Sequence, residues 1–171
     1  MPVAEVAPSP FTRLRGRQDD KVFHRAFHRN MAGLLAILSV MGFLNAGYFV
    51  LAYYGRVGPT PGIPNFCRRS EENLCLTVLR TPYARVFGPP NASLGVFFYL
   101  ANACVAVLWS LGSLPRWLWQ ADLAVSGSTL LFGVYLIWAL LKLRMPCPLC
   151  YLGHATNLAI FIILLAGRGR V

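Results

Sequence analysis

What this chain lacks is charge. Charged side chains make up 13% of its 171 residues, against roughly 25% in an ordinary soluble domain. Only six residues are Asp or Glu, and no charged residue of either sign occurs from Asn30 to Gly55. With a hydrophobic fraction of 56%, this scarcity argues against a soluble globule and points to the bilayer. No internal repeat or low-complexity segment is present, which excludes solenoid architectures. The length suits one domain and no more.

The sixteen Lys and Arg residues give a net charge of +10. Their distribution excludes a nucleic-acid surface. Six fall between Arg13 and Arg29, and the others sit between apolar runs or beyond the last one. Basic residues at the ends of apolar segments are membrane topology signals.

The uncharged stretch 30–55 holds 26 residues, more than the about 20 that a helix needs to cross a membrane. A cleaved signal peptide would have a shorter apolar region, roughly 7–15 residues. The pattern predicts four helices, near 31–54, 94–114, 117–141 and 146–166. Trp117, Trp119 and Trp138 lie close to the ends of the third, where interfacial aromatic belts form. Residues 1–30 read as a basic, flexible or surface-lying tail, and 167–171 as a second short tail. The expected fold is an all-α four-transmembrane-helix bundle, residues 31–166, with a long cysteine-containing loop at 55–93.

That loop is too long for a tight helix connection, and loops of such length are often functional. In an unbroken serpentine it shares a membrane face with the 142–146 turn. Cys67 and Cys75 should therefore lie on the same side as Cys147 and Cys150. The density of basic residues before the first helix favours cytoplasmic termini and an extracytoplasmic position for both pairs. Disulfides persist there.

The Pro146-Cys147-Pro148-Leu149-Cys150 segment opens the fourth helix. Proline is tolerated in a first helical turn, and residues three apart share a helical face. The positive end of a helix favours a thiolate, the attacking species in disulfide exchange. Redox chemistry is the favoured reading of this pair; metal ligation and inert packing are its rivals. Cys67 and Cys75 enclose seven residues, Arg68 to Leu74. They read either as a structural staple or, beside a CxxC on the same face, as a relay. The fifth cysteine, Cys104, reads as a small packed residue in the second helix.

Electrons leaving a CxxC at a membrane need a lipid-soluble acceptor. The segment Asn91 to Tyr99 leaves the same face, with an amide at Asn91, a hydroxyl at Ser93 and rings at Phe98 and Tyr99. A ring pocket with few polar groups suits a quinone head. The plain alternative for Asn91 is a helix cap.

Taken together, Cys67 and Cys75 at their spacing, Thr81-Pro82-Tyr83-Ala84, Asn91 to Tyr99, Val134 to Trp138 and Cys147-Pro148-Leu149-Cys150 resemble the vitamin K epoxide reductase family over about residues 31–166. The Thr-Pro-Tyr-Ala stretch and Gly88-Pro89 resemble its bacterial members. The resemblance implies a four-helix bundle around a quinone, capped by the loop. It implies that Cys150 faces the quinone, that Cys147 exchanges with Cys75, and that Cys67 meets the protein substrate. It makes Asn91 a hydrogen-bond donor to a quinone oxygen and Thr81 a supporting hydroxyl residue of the loop. His154 stands where vertebrate members place a tyrosine. At the surface one turn below Cys150, it reads as a quinone neighbour, a proton source, or a plain polar packing residue.

No thioredoxin-like domain is expected after Val171, so the expected partner is a separate thioredoxin-fold, DsbA-like protein. The expected function is its reoxidation at the inner membrane, with ubiquinone or menaquinone as acceptor and no metal. The alternatives are vitamin K epoxide reduction, as in vertebrate relatives, a membrane metal carrier or sensor with thiol ligands, and a non-catalytic scaffold.

Overall fold

The computed structural model describes residues 10–57, 68–69 and 72–168, with side chains described for 27–57, 75 and 77–168. Five α-helices follow one another: α1 Pro10–Tyr53, α2 Leu74–Leu79, α3 Asn91–Ser110, α4 Arg116–Lys142 and α5 Pro148–Gly167. A 3₁₀ turn covers Pro82–Arg85, and a two-residue antiparallel pair joins Arg68–Arg69 to Glu72–Asn73. Four helical segments are long and apolar enough to cross a membrane: Phe27–Tyr53, Asn91–Ser110, Arg116–Lys142 and Pro148–Gly167. This is the expected four-helix membrane bundle, with two additions.

The first addition lies before the first span. Helix α1 starts at Pro10, so residues 10–30, expected as a flexible or surface-lying tail, are helical. Arg, Lys, Gln and Leu are good helix formers, and extending a helix from an already fixed span needs no new nucleus. The second addition is α2 within the long loop. Its Leu74-Cys75-Leu76-Thr77-Val78-Leu79 run buries Cys75 and Leu79 against Leu140 and Cys147.

Helix ends follow local chemistry. Helix α3 starts three residues before the expected Leu94, directly after Pro89 and Pro90. It stops at Ser110 because Gly112 adopts φ 68°, while Ser113 N–H bonds Leu108 C=O at 3.0 Å and caps the last turn. Arg144 takes the same role after α4 at φ 53°. Met145 N–H then reaches Leu140 C=O at 3.1 Å. A left-handed conformation is ordinarily left to glycine, so this turn holds an arginine at a cost of about 1–2 kcal/mol. It delivers the chain straight into Cys147.

Helix α1 packs along α3 and also meets α5, while α4 leans on α5. Close approach uses small residues: the ring of Tyr99 covers Gly42, and Gly95 faces Ala46. Two polar side chains inside the bundle turn back to their own helices, where lipid offers no partner. Ser39 donates to Leu35 C=O at 2.7 Å and Thr156 to Leu152 C=O at 2.9 Å. At the end remote from the cysteines, Trp109 and Trp119 meet edge to face with centroids 4.9 Å apart. Trp119 is thus buried rather than interfacial, whereas Trp117 and Trp138 are exposed as expected. Cys104 is also corrected: it is a free thiol on the exposed face of α3, not a packed residue.

Candidate active site

The cysteine geometry starts from the first residue of the α5 turn. Cys147 is the N-cap, at φ −108° and ψ 99°, and Pro148 takes the first helical position. Its sulfur accepts a hydrogen bond from Cys150 N–H at 3.3 Å, and Cys147 and Cys150 are joined in a disulfide with Cα atoms 5.2 Å apart. A helix N-terminus has unpaired N–H groups and a positive dipole end. Negative charge released on the Cys147 sulfur would be held there.

Helix α2 supplies the other side. Cys75 is fully buried, and its sulfur lies 3.6 Å from that of Cys147. Cys75 is itself in a disulfide. Cys75 and the Cys147–Cys150 pair, distant in sequence, therefore meet at one end of the bundle. Cys67 lies outside the described residues.

Cys150 opens onto a cavity of about 240 Å³ with mostly apolar walls between α1, α3, α4 and α5. Of the residues expected around a quinone, Asn91, Phe98, Tyr99 and His154 line it, and so does Thr81, expected as loop support. Ser93 does not. A helix advances about 100° per residue, so positions 91, 94, 95 and 98 share a face that excludes 93.

The lining residues differ in what they have left to offer. Asn91 is tied at both ends of its amide: Nδ2 donates to Tyr83 C=O at 2.7 Å, and Oδ1 accepts from Val86 N–H at 3.2 Å. It clasps the 83–86 loop over the cavity and keeps one N–H in reserve. The Tyr99 hydroxyl donates to Asn157 Oδ1 at 2.6 Å, with Gly153 C=O at 3.3 Å. Thr81 donates to Val78 C=O at 2.8 Å and so stiffens the loop. His154 is half-buried rather than a surface residue. Its Nδ1 has no partner among the described residues, and it fits because Gly133 has no side chain to occupy that space.

Reading from the sequence missed Asn45. It lines the cavity from α1, and its Nδ2 donates to Leu149 C=O at 3.1 Å, between the two cysteines of α5. The available signal was an amide in the middle of an uncharged span, where polar residues are uncommon and often functional. Tyr83 and Phe132 also line the cavity and belong to an outer ring of aromatic side chains. Phe132 and Tyr135 stack with centroids 6.0 Å apart, and Tyr135 and Trp138 at 6.1 Å.

A four-span bundle with Cys75 beside a Cys147–Cys150 disulfide at an apolar cavity narrows the field of families, and the sequence profile described as the vitamin K epoxide reductase family matches residues 33–165. The chain belongs to the vitamin K epoxide reductase family. Membership supports a membrane thiol/quinone oxidoreductase in general terms; quinones are the electron partners this family generally uses, and thioredoxin-like proteins are typical partners. Among curated proteins there is no match to the chain.

Proposed function

We propose that this family member reoxidises a separate thioredoxin-fold, DsbA-like thiol protein and passes its electrons to ubiquinone or menaquinone, supporting disulfide bond formation. The observation that carries this is the 3.6 Å approach of Cys75 and Cys147, with Cys147 joined to Cys150 and Cys150 on the cavity wall. Sulfur thus leads from the loop to the ring site with no gap that another carrier must bridge.

Electrons and protons balance along this path. The partner's dithiol loses two electrons and two protons and becomes a disulfide, while the Cys67–Cys75 pair is reduced. The Cys75 thiolate then attacks Cys147, forms a Cys75–Cys147 bond, breaks the Cys147–Cys150 bond and releases Cys150 as a thiolate facing the quinone. Cys67 attacks Cys75 in that mixed disulfide, which restores the Cys67–Cys75 bond and frees Cys147. The Cys147 and Cys150 thiols then return to their disulfide as the quinone takes their two electrons and two protons and becomes the quinol. Asn91, with its spare N–H, and His154 are the candidate contacts for the quinone oxygens, and fixed donors help most where negative charge develops. The orientation that serves this chemistry places residues 1–30 and 167–171 in the cytoplasm and both cysteine pairs outside the inner membrane.

The test is quinol formation in nanodiscs with a reduced thioredoxin-fold substrate, comparing wild type with Cys150→Ala. The variant should form no quinol above background while keeping its fold. Wild-type rates in Cys150→Ala would remove the proposal.

A further inference from the structure

The cavity wall contains a residue with an acceptor that nothing among the described residues uses. Asn45 Oδ1 is buried and has no hydrogen-bond partner among the described residues. Its orientation is dictated by chemistry, not by choice of amide flip. The opposing group at 3.1 Å is the Leu149 carbonyl, which can only accept. The nitrogen must therefore face Leu149, and the oxygen must be the atom left bare. Gly153 secures this arrangement: a Cβ there would stand 3.0 Å from Asn45 Nδ2 and displace it. Leaving a buried acceptor unpaired costs about 1–3 kcal/mol, so the position is occupied by an amide at some expense to the fold.

The two redox forms of the proposed substrate differ in the property that this atom senses. A quinone ring carries two carbonyl oxygens, both acceptors. Its hydroquinone carries two hydroxyls, each a donor. Two acceptors facing each other gain nothing, whereas a hydroxyl and an amide oxygen form a hydrogen bond. We propose that Asn45 is the product-recognising group of the cavity: its Oδ1 accepts a hydrogen bond from a hydroquinone hydroxyl and offers the quinone none. This deepens the quinone reading above and rests on it. In turnover the Cys147–Cys150 dithiol gives up two electrons and two protons as its S–S bond forms, and the ring gains two electrons and two O–H bonds. Asn45 engages one of those O–H bonds as it appears. Its amide also holds Leu149, so the same side chain ties the cysteine turn to the product.

The experiment uses the full chain in lipid nanodiscs, in a Cys150→Ala background that prevents turnover. Binding of a short-tailed ubiquinone and of its hydroquinone is measured separately and without oxygen, with and without Asn45→Ala. The hydroquinone should bind about tenfold more weakly when Asn45 is removed, one hydrogen bond's worth. The quinone should change by less than about threefold. Gly153→Ala, which crowds the amide without removing it, should shift the two affinities in the same sense by a smaller factor. It carries the test alone if Asn45→Ala does not assemble. Equal losses for both forms, or no loss for either, would overturn the inference. Should the otherwise unaltered Cys150→Ala protein bind neither form, and wild type make no quinol, the quinone reading itself has failed. Wild-type quinol formation with equal losses removes only the role of Asn45.

Discussion

The two ends of this bundle both contain buried polar atoms without partners, and they use them differently. At the cysteine end, Asn45 Oδ1 and His154 Nδ1 have no partner among the described residues and belong to residues that line a cavity, while Tyr48 Oη, in the cluster around Cys75 and Cys147, is equally unpaired away from that wall. At the other end, Trp119 Nε1, Asp122 Oδ2 and Ser126 Oγ are unpaired on residues that are not on its wall. There Trp109 packs on Trp119, and Gly167 leaves room for the Trp119 ring. An orphaned atom beside an open ring-sized space is a binding opportunity. The same orphan inside packed side chains is only a cost. The comparison teaches that burial alone does not locate function in a membrane bundle; the adjacent space does.

The largest effect that can break this contrast comes from cutting the sulfur path. Cys75→Ala removes the only described sulfur that approaches Cys147 from the loop. Oxidation of a thioredoxin-fold substrate should fall to background, while a small dithiol that reaches Cys147 directly should still drive quinol formation. Measuring both donors on one preparation separates a broken relay from a broken fold. Undiminished oxidation of the protein substrate would mean that electrons enter Cys147 by another route.

A smaller effect is expected at Asn91, where two roles share one side chain. Asn91→Ala should slow quinol formation by about 10–1000-fold, from a lost donor worth roughly 1.5–4 kcal/mol. It should also release the 83–86 loop, because both bonds to Tyr83 and Val86 are lost. Asn91→Asp keeps the acceptor toward Val86 but sets a carboxylate against the Tyr83 carbonyl and the developing charge of the quinone. It should be at least as slow. A wild-type rate in Asn91→Asp would reduce Asn91 to a clasp for the loop and move the donor role elsewhere.

Much of this was legible in the sequence, for reasons that differ by element. The spans were legible because lipid tolerates few charges, so their absence marks each helix to within a few residues. The shared face of Cys75 and Cys147 followed from connectivity alone. Periodicity should have excluded Ser93, two residues from Asn91 and hence on another face of α3. What could not be read was contact between distant segments. Asn45 meets Leu149 across 104 positions, and Gly133 makes room for His154 from a different helix. Neither relation leaves a pattern within either segment. Helix α2 was missed for a related reason: six residues are too few to show a period, and what holds them is tertiary burial of Cys75 and Leu79.

The smallest expected effect sharpens the contrast from the other side. Asp122 is 7% exposed and lies six residues into α4, roughly 9 Å along the helix at 1.5 Å per residue. An ionisable residue at such depth is a functional candidate by default. The packed surroundings argue against that role here, because Asp122 is not on the cavity wall and has no sulfur beside it in the described residues. Asp122→Asn tests this with almost no change of volume. The amide cannot ionise, so any cost of keeping a charge out of water disappears, and the buried position gains donors that can meet Ser126 Oγ one turn away on the same face. Quinol formation should stay within about twofold of wild type, and the thermal unfolding midpoint in detergent should hold or rise. A rate loss of tenfold or more in a folded Asp122→Asn protein would show that the closed end takes part in the chemistry, with protons the first thing to follow across it. Unchanged rates leave the chemistry at the cysteine end alone, where Asn45 and His154 line the cavity.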